Sequence, residues 1–283
     1  MNVQFFLTFV FRSYNFDIAI PTEMKKITIA IILAAFLLCS CNHYYYVANV
    51  QNIPLFREKN EYHLSGSYGG GPYSNCIEVQ ASYSLPFNIG LMANYMHGRG
   101  GDVSDNDYGK GNYIEGAIGY YKPFEKFNGV FETYGGIGLG KQYHEYSSRH
   151  FDQWEYYYSY DGSSDISFSK LFIQPSYGLT FDKFDVALST RLCRLSFTDI
   201  NNQITDPVEV NKVNSLSDNS HYFIEPALTL RGGWTYLKFQ FQVAYTGYLG
   251  HPEYYFFEDV HFGAGLYFTI AKRFKNAVSD PDK

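Results

Sequence analysis

From about residue 61 to residue 271, apolar and polar residues alternate along the chain. Ile77, Val79 and Ala81, for example, alternate with Glu78 and Gln80. A two-residue period is that of a β-strand whose two faces meet different surroundings. The pattern predicts ten strands, near 61–70, 76–86, 88–97, 112–122, 129–140, 167–181, 184–197, 221–231, 235–247 and 258–271.

The connections between the predicted strands alternate in length. The short ones are 86–88, 122–128, 182–183 and 232–234, and the long ones are 98–111, 141–166, 198–220 and 248–257. Transmembrane barrels have short periplasmic turns and longer external loops. The alternation therefore predicts an up-and-down barrel in which 71–75 is a short external connection. An even number of strands returns the C-terminus to the periplasm, where we expect the N-terminus to start.

The two stripes of each predicted strand differ in composition. The apolar stripe carries large uncharged side chains. The other stripe is rich in small residues, among them Gly90, Ala117, Gly119, Gly136, Gly138, Gly178, Ala187, Ala227, Gly263 and Gly265. A soluble barrel would turn its apolar stripe inward, but a small interior cannot hold so many large side chains. We therefore predict an all-β fold, a single transmembrane antiparallel up-and-down β-barrel of about ten strands.

The N-terminal region carries a targeting pattern. Met24-Lys25-Lys26 is a short basic start, and 27–38 is an apolar run too short to span a bilayer. The run closes on Cys39 and Cys41, which resembles the lipobox of a bacterial lipoprotein signal peptide. Cys41 fits the acylated position better, because a small residue precedes it.

These features divide the chain into five parts. Translation is expected to start at Met24, because an upstream extension fits poorly before a signal peptide. The parts are an extension over 1–23, the signal peptide over 24–40, a lipidated tether over 41–60, the barrel over 61–274 and a periplasmic tail over 275–283.

Composition narrows the classes of protein. The net charge of -6 argues against a nucleic-acid partner, which favours clustered Lys and Arg. The mean hydropathy of -0.25 excludes a bundle of membrane helices, yet aromatic residues reach 19% of the chain. A barrel reconciles these values, because only every second residue of a strand has to be apolar.

By these residues the chain resembles the outer-membrane β-barrel lipoproteins of Bacteroidota. The resemblance is carried by the lipobox at Cys41, the tyrosine-containing tether, the entry sequence 52–59 and the barrel pattern. It implies a location and a fold, and no particular activity. The last strand closes on Phe274, which resembles the signal read by the barrel-insertion machinery.

A set of charged residues falls on the inward stripe. Its members are Glu78, Glu115, Glu132, Asp185, Arg191, Glu225, Arg231 and Lys238. An isolated buried charge is costly, so these side chains must form pairs or stay hydrated. We expect a salt-bridged network that fills the lumen; the alternatives are a selective pore and a pocket for a small ligand.

The predicted loop 141–166 is rich in tyrosine. Its candidate binding residues are Tyr143, Trp154, Tyr156, Tyr157 and Tyr158. Such side chains give a large contact area at low entropic cost, so a glycan or a protein is a candidate ligand. The alternative is a loop that packs on its neighbours. His144 and His150 have no specific metal-ligand spacing, and we expect no metal and no cofactor.

No catalytic constellation stands out. The histidines are scattered over separate elements, and no Gly-x-Ser-x-Gly sequence marks a serine nucleophile. Cys76 and Cys193 fall on opposite walls of a ten-stranded barrel, so we predict two free thiols.

The chain is thus predicted to be a lipid-anchored outer-membrane barrel with a structural or binding role and no catalysis. Its expected partners are outer-membrane lipid, the insertion machinery and a ligand at the external loops. A narrow solute channel and a lipid- or peptide-processing enzyme are the alternatives.

Overall fold

The computed structural model describes residues 44–102, 107–152, 155–250 and 257–274. The strands are β1 Tyr62–Gly70, β2 Ser74–Ser84, β3 Ile89–Asp102, β4 Asp107–Phe124, β5 Gly129–Asp152, β6 Glu155–Thr180, β7 Phe184–Asn202, β8 His221–Gly233, β9 Leu237–Tyr245, β10 Gly247–Tyr248 and β11 Val260–Ile270. Each strand pairs antiparallel with its neighbours, and β1 pairs with β11, where Tyr62 lies opposite Ile270. This pairing closes the sheet. Because β10 continues β9 along β8, the wall has ten strands, as predicted.

Burial follows the two-residue period, with the apolar stripe outside. On β2, Ile77 and Val79 are 59% and 48% exposed, whereas Glu78 and Gln80 are 1% and 3% exposed. A soluble protein would bury the opposite stripe. Exposed aromatic residues flank the apolar belt at the short-turn end, among them Phe87, Phe124, Phe127, Phe181, Phe184 and Trp234. The chain is therefore an outer-membrane-type β-barrel with a lipid-facing exterior.

The two ends of the barrel differ more than the sequence indicated. We call the end with connections 85–88, 125–128, 181–183 and 234–236 the short-turn end, and the opposite one the long-loop end. The prediction of a loop over 141–166 is wrong, because β5 and β6 pair with each other through most of this range. Tyr143 lies opposite Asp165, with one register shift between Tyr146 and Ser147. Aromatic side chains favour strand, and the hairpin continues past the membrane belt.

The predicted loop 198–220 also contains regular structure. β7 runs on to Asn202, and a helix, α1 (Pro207–Ser215), follows. The Asp206 side chain accepts the N–H of Val208 at 2.9 Å and caps the helix. In the described part of the chain, no helix is both long enough and apolar enough to cross a membrane.

Residues 45–56 lie inside the barrel, and we call them the luminal segment. This corrects the expected tether over 41–60, of which only residues from 44 on are described. The segment starts at the long-loop end, where Tyr44 stacks on Tyr73 of the β1–β2 connection. It reaches the short-turn end, where the Ser84 hydroxyl donates to the Glu58 carbonyl at 2.7 Å. Its buried residues are at most 4% exposed, namely Tyr45, Tyr46, Ala48, Asn49, Val50, Gln51, Asn52, Ile53, Leu55 and Phe56.

Small wall residues make room for the luminal segment. A Cβ on Gly178 would come within 2.6 Å of Leu55, and a Cβ on Gly263 would collide with Val50. At the long-loop end, Val213 and Leu216 join Tyr45 and Tyr46 in one hydrophobic cluster. The segment therefore occupies the interior between the two ends, and the α1 connection packs on it at the long-loop end.

Candidate functional site

The wall binds the luminal segment mainly through its backbone. Both carboxylate oxygens of Glu78 accept the N–H of Val50, at 3.0 and 2.9 Å. Glu132 likewise accepts the N–H of Phe56, and Gln242 both accepts from and donates to the Gln51 backbone. Other wall side chains donate to backbone carbonyls of the segment, namely Gln142 to Tyr45, Gln174 to Asn52, Arg231 to Ile53 and Tyr267 to Pro54. A buried backbone group without a partner is costly, so these contacts hold the segment as a barrel holds a bound peptide.

Arg191 on β7 is at the centre of the largest polar network. Its Nη2 lies 3.2 Å from Glu115 Oε1, and its Nη1 lies 3.9 Å from Glu225 Oε2. Nη1 also donates to Asn49 Oδ1 of the luminal segment at 2.8 Å. Glu115 accepts from the Asn49 amide at 3.0 Å in return. All of these side chains are fully buried, so each charge depends on its partners.

Lys170 completes this network, although sequence reasoning missed it. Its Nζ lies 3.7 Å from Glu115 Oε2 and donates to Tyr46 Oη at 3.1 Å. Tyr46 in turn donates to Glu225. Two acids and two bases therefore balance, and the luminal segment takes part through Tyr46 and Asn49. The signal that could have found Lys170 is its place on the inward stripe of β6.

A second network lies toward the short-turn end. Lys238 Nζ lies 2.7 Å from Asp185 Oδ1. Arg231 donates to the Ile53 carbonyl at 2.7 Å and stacks 3.7 Å from the centre of the Tyr267 ring. The two networks together contain all of the predicted inward charges except Glu78 and Glu132. Those two carboxylates instead accept N–H groups of the luminal segment.

Glu61 is a further residue that sequence reasoning missed. Its Oε1 accepts the N–H groups of Arg57 and Glu58, at 3.2 and 3.0 Å, and contacts Arg273. The carboxylate fixes the turn by which the luminal segment leaves the lumen and enters β1. The signal that could have found Glu61 is its place at the start of the first predicted strand, on the same inward stripe as His63 and Ser65.

The described residues include one cluster with metal-ligand chemistry. Cys76, Glu78 and His261 bring one sulfur, one oxygen and one nitrogen together on the lumen wall near the long-loop end. Cys193 lies on β7, and both cysteines are free thiols. His144 is buried beside Gln142, whereas nothing is described for the side chain of His150.

Of the candidate surface residues, only the side chain of Tyr143 is described. Its hydroxyl donates to Glu145 at 2.8 Å, which raises the pKa of Tyr143 to about 12. Lys110 lies 5.0 Å from the centre of the ring. Tyr156, Tyr157 and Tyr158 belong to β6, but their side chains lie outside the described set, as do Trp154 and Cys41.

No protein-family model and no curated protein matches the chain. Among solved structures, it is similar to the N-terminal β-barrel domain of Pseudomonas aeruginosa OprF, at 9% identity and a TM-score of 0.29 over 75% of this chain and 98% of that one. It is also similar to the KdgM porin, at 11% and 0.35 over 74% and 99%. For the translocator domain of autotransporter NalP from Neisseria meningitidis, the values are 8% and 0.45 over 88% and 95%. Values this low add nothing to the fold seen directly in the strand pairing.

Proposed function

We propose that the chain is a lipid-anchored, non-conducting outer-membrane barrel that displays its long-loop end at the cell surface as a binding scaffold. The observation that carries this is the luminal segment, which fills the lumen and supplies partners to both charge networks. An open solute channel would leave these charges facing water. Here they face the chain's own residues Asn49 and Ile53.

The direction of the luminal segment bears on the anchor. Long loops face the cell exterior in transmembrane barrels, and Tyr44 stacks on Tyr73 at the long-loop end. Cys41 precedes Tyr44 by three residues, so it lies within roughly 11 Å of Tyr44 even in an extended chain. The hydrocarbon core is about 30 Å thick. Acyl chains on Cys41 would therefore enter the outer leaflet of the outer membrane. This differs from the expectation from the sequence, in which the N-terminus starts in the periplasm and its acyl chains enter the periplasmic leaflet.

The β5–β6 hairpin is the main candidate for the displayed surface. These strands have 24 and 26 residues, whereas about 9–11 residues cross a bilayer. The excess rises above the membrane as paired strand and carries Tyr143 and Tyr160. Rigid tyrosines suit recognition of a glycan or a protein, because they lose little entropy on binding.

Planar-bilayer recording tests the closed lumen. The purified, folded protein should give no reproducible single-channel steps, while a porin reconstituted in parallel should give them. Heat-modifiable migration on gels would verify that the barrel is folded. Reproducible steps from the intact protein would establish the channel alternative and remove the proposal.

Lipid labelling and surface access test the anchor. Labelled palmitate should be incorporated by the intact protein and by Cys39→Ser, but not by Cys41→Ser. An epitope inserted after Asn42 should bind antibody on intact cells, whereas one inserted at Asp182 should bind only after permeabilisation. The reverse accessibility, or unchanged labelling of Cys41→Ser, would contradict the outward-facing anchor.

A further inference from the structure

Cys76, Glu78 and His261 meet on the lumen wall beside the luminal segment. Cys76 Sγ lies 3.3 Å from Glu78 Oε1 and 3.9 Å from His261 Nε2. His261 Nε2 lies 3.3 Å from the same carboxylate oxygen. None of the three side chains is more than 3% exposed. They form a compact triangle of one sulfur, one nitrogen and one oxygen.

Two sides of the triangle, at 3.3 Å, match the edge of a tetrahedral metal site, and the sulfur–nitrogen side, at 3.9 Å, is slightly longer. Zinc bonds of about 2.0–2.3 Å to nitrogen, oxygen and sulfur place neighbouring ligand atoms roughly 3.3–3.6 Å apart. We infer that Cys76, Glu78 and His261 bind a divalent metal ion of the zinc class, with a water molecule in the fourth position. This site is independent of the proposed surface role.

The strand order brings the ligands together. Cys76 and Glu78 lie on β2 and His261 lies on β11, with β1 between them. At this level β1 carries Gly69, which pairs with Cys76. A Cβ on Gly69 would collide with the Phe262 carbonyl oxygen and lie 3.2 Å from His261 Nε2. The glycine therefore leaves the space across β1 in which the two ligand-bearing strands can share an ion.

Charge also favours a metal ion here. In the described parts of the chain, no Lys or Arg nitrogen lies within salt-bridge distance of Glu78, unlike Glu115 with Arg191 and Lys170. A buried carboxylate without a counter-charge is costly. A thiolate, a carboxylate and a neutral imidazole around a divalent cation sum to zero. Metal binding releases the thiol proton to solvent, since only the thiolate is a ligand.

Such an ion would join the wall to the luminal segment. Glu78 Oε1 faces the sulfur and the imidazole, and both carboxylate oxygens accept the N–H of Val50, Oε1 at 3.0 Å and Oε2 at 2.9 Å. The Glu78 carboxylate can therefore bind the metal ion and the luminal segment at the same time. We expect the ion to stabilise the closed lumen.

Cobalt titration of the folded, full-length protein in detergent tests the site. After treatment with chelator, Co²⁺ should give a thiolate-to-cobalt charge-transfer band that saturates at one ion per chain and disappears when Zn²⁺ is added. Cys76→Ser should remove the band. Cys193→Ser is the matched control, because Cys193 is also buried 3.5 Å from a glutamate, Glu225, but beside Arg191. The control should keep the band.

A second measurement does not depend on the thiolate band. Zn²⁺ should raise the temperature at which the barrel unfolds on gels for the intact protein and for Cys193→Ser. Cys76→Ser and His261→Asn should show no zinc-dependent rise. An intact protein without the cobalt band, or a band that survives Cys76→Ser and is lost in Cys193→Ser, would overturn the inference. So would an equal zinc effect in all variants.

Discussion

Glu115 and Glu78 are two buried carboxylates that hold adjacent residues of the luminal segment in different ways. Glu115 on β4 binds the Asn49 side chain and has Arg191 and Lys170 as counter-charges. Glu78 on β2 binds the Val50 backbone and has a thiol and an imidazole beside it. The same lumen thus contains one carboxylate with two counter-charges of the chain and one that, among the described residues, has no Lys or Arg beside it.

The two carboxylates should therefore contribute differently to the stability of the barrel. The charges of the Arg191 network balance, so its stability depends on keeping every charged member in place. Removing one partner of a buried pair leaves an uncompensated charge, and that costs more than the pair contributes. In the described parts of the chain, no Lys or Arg pairs with Glu78, so we expect that its charge can be changed with less damage. The following experiments test that distinction in order of expected effect.

Arg191→Met should cause the largest loss of stability. It leaves Glu115 and Glu225 with Lys170 as their remaining counter-charge, and we expect a loss of about 3–5 kcal/mol in the free energy of unfolding. Urea unfolding of the barrel in lipid vesicles measures it. Arg194→Met, three residues further along β7 and outward-facing, is the control and should change little. Equal effects in both variants would show that the network does not hold the barrel together.

Ile173→Lys tests whether a lysine is tolerated on the lipid-facing side of β6. Lys170 is buried in the lumen among acids, whereas Ile173 is 51% exposed on the lipid side. A lysine facing the middle of a bilayer costs about 2–4 kcal/mol. Tyr160→Lys, in the part of β6 above the membrane belt, should cost far less. Similar losses at both positions, measured by the same unfolding assay, would place the lipid boundary elsewhere.

A double-mutant cycle on Arg191 and Glu115 measures their coupling. Arg191→Met combined with Glu115→Gln removes one positive and one negative charge together, so the double variant should lose less than the sum of the single losses. Coupled buried pairs differ from additivity by about 0.5–3 kcal/mol. Additive losses would mean that the two side chains act separately. Asp185 and Arg191, which belong to different networks, provide a pair expected to be additive.

The barrel wall could be predicted because a two-residue period is local, as in Ile77 to Gln80. The same parity places Glu78 and Arg191 inside, and it would have placed Lys170 there too. The luminal segment could not be predicted in this way. It has no periodic pattern, and its partners are far away in the sequence, since Gln51 binds Gln242, 191 residues later. The β5–β6 extension was missed because tyrosine occupies both faces, which hides the alternation.

Glu78→Gln should have the smallest effect, and it separates the two carboxylates most directly. In metal-free protein the amide oxygen can still accept the Val50 N–H, and the substitution removes a charge that pairs with no Lys or Arg among the described residues. We therefore expect the free energy of unfolding to change by no more than about 1 kcal/mol, whereas Glu115→Gln should cost clearly more because it leaves Arg191 and Lys170 with one acid fewer. With Zn²⁺ present, the difference between the losses caused by Glu78→Gln and Glu115→Gln should become smaller. An amide is a poor zinc ligand, so Glu78→Gln loses the stabilisation that zinc gives the intact protein. If Glu78→Gln unfolds the metal-free barrel as readily as Glu115→Gln does, the Glu78 charge is neutralised by the chain itself and the distinction between the two carboxylates fails.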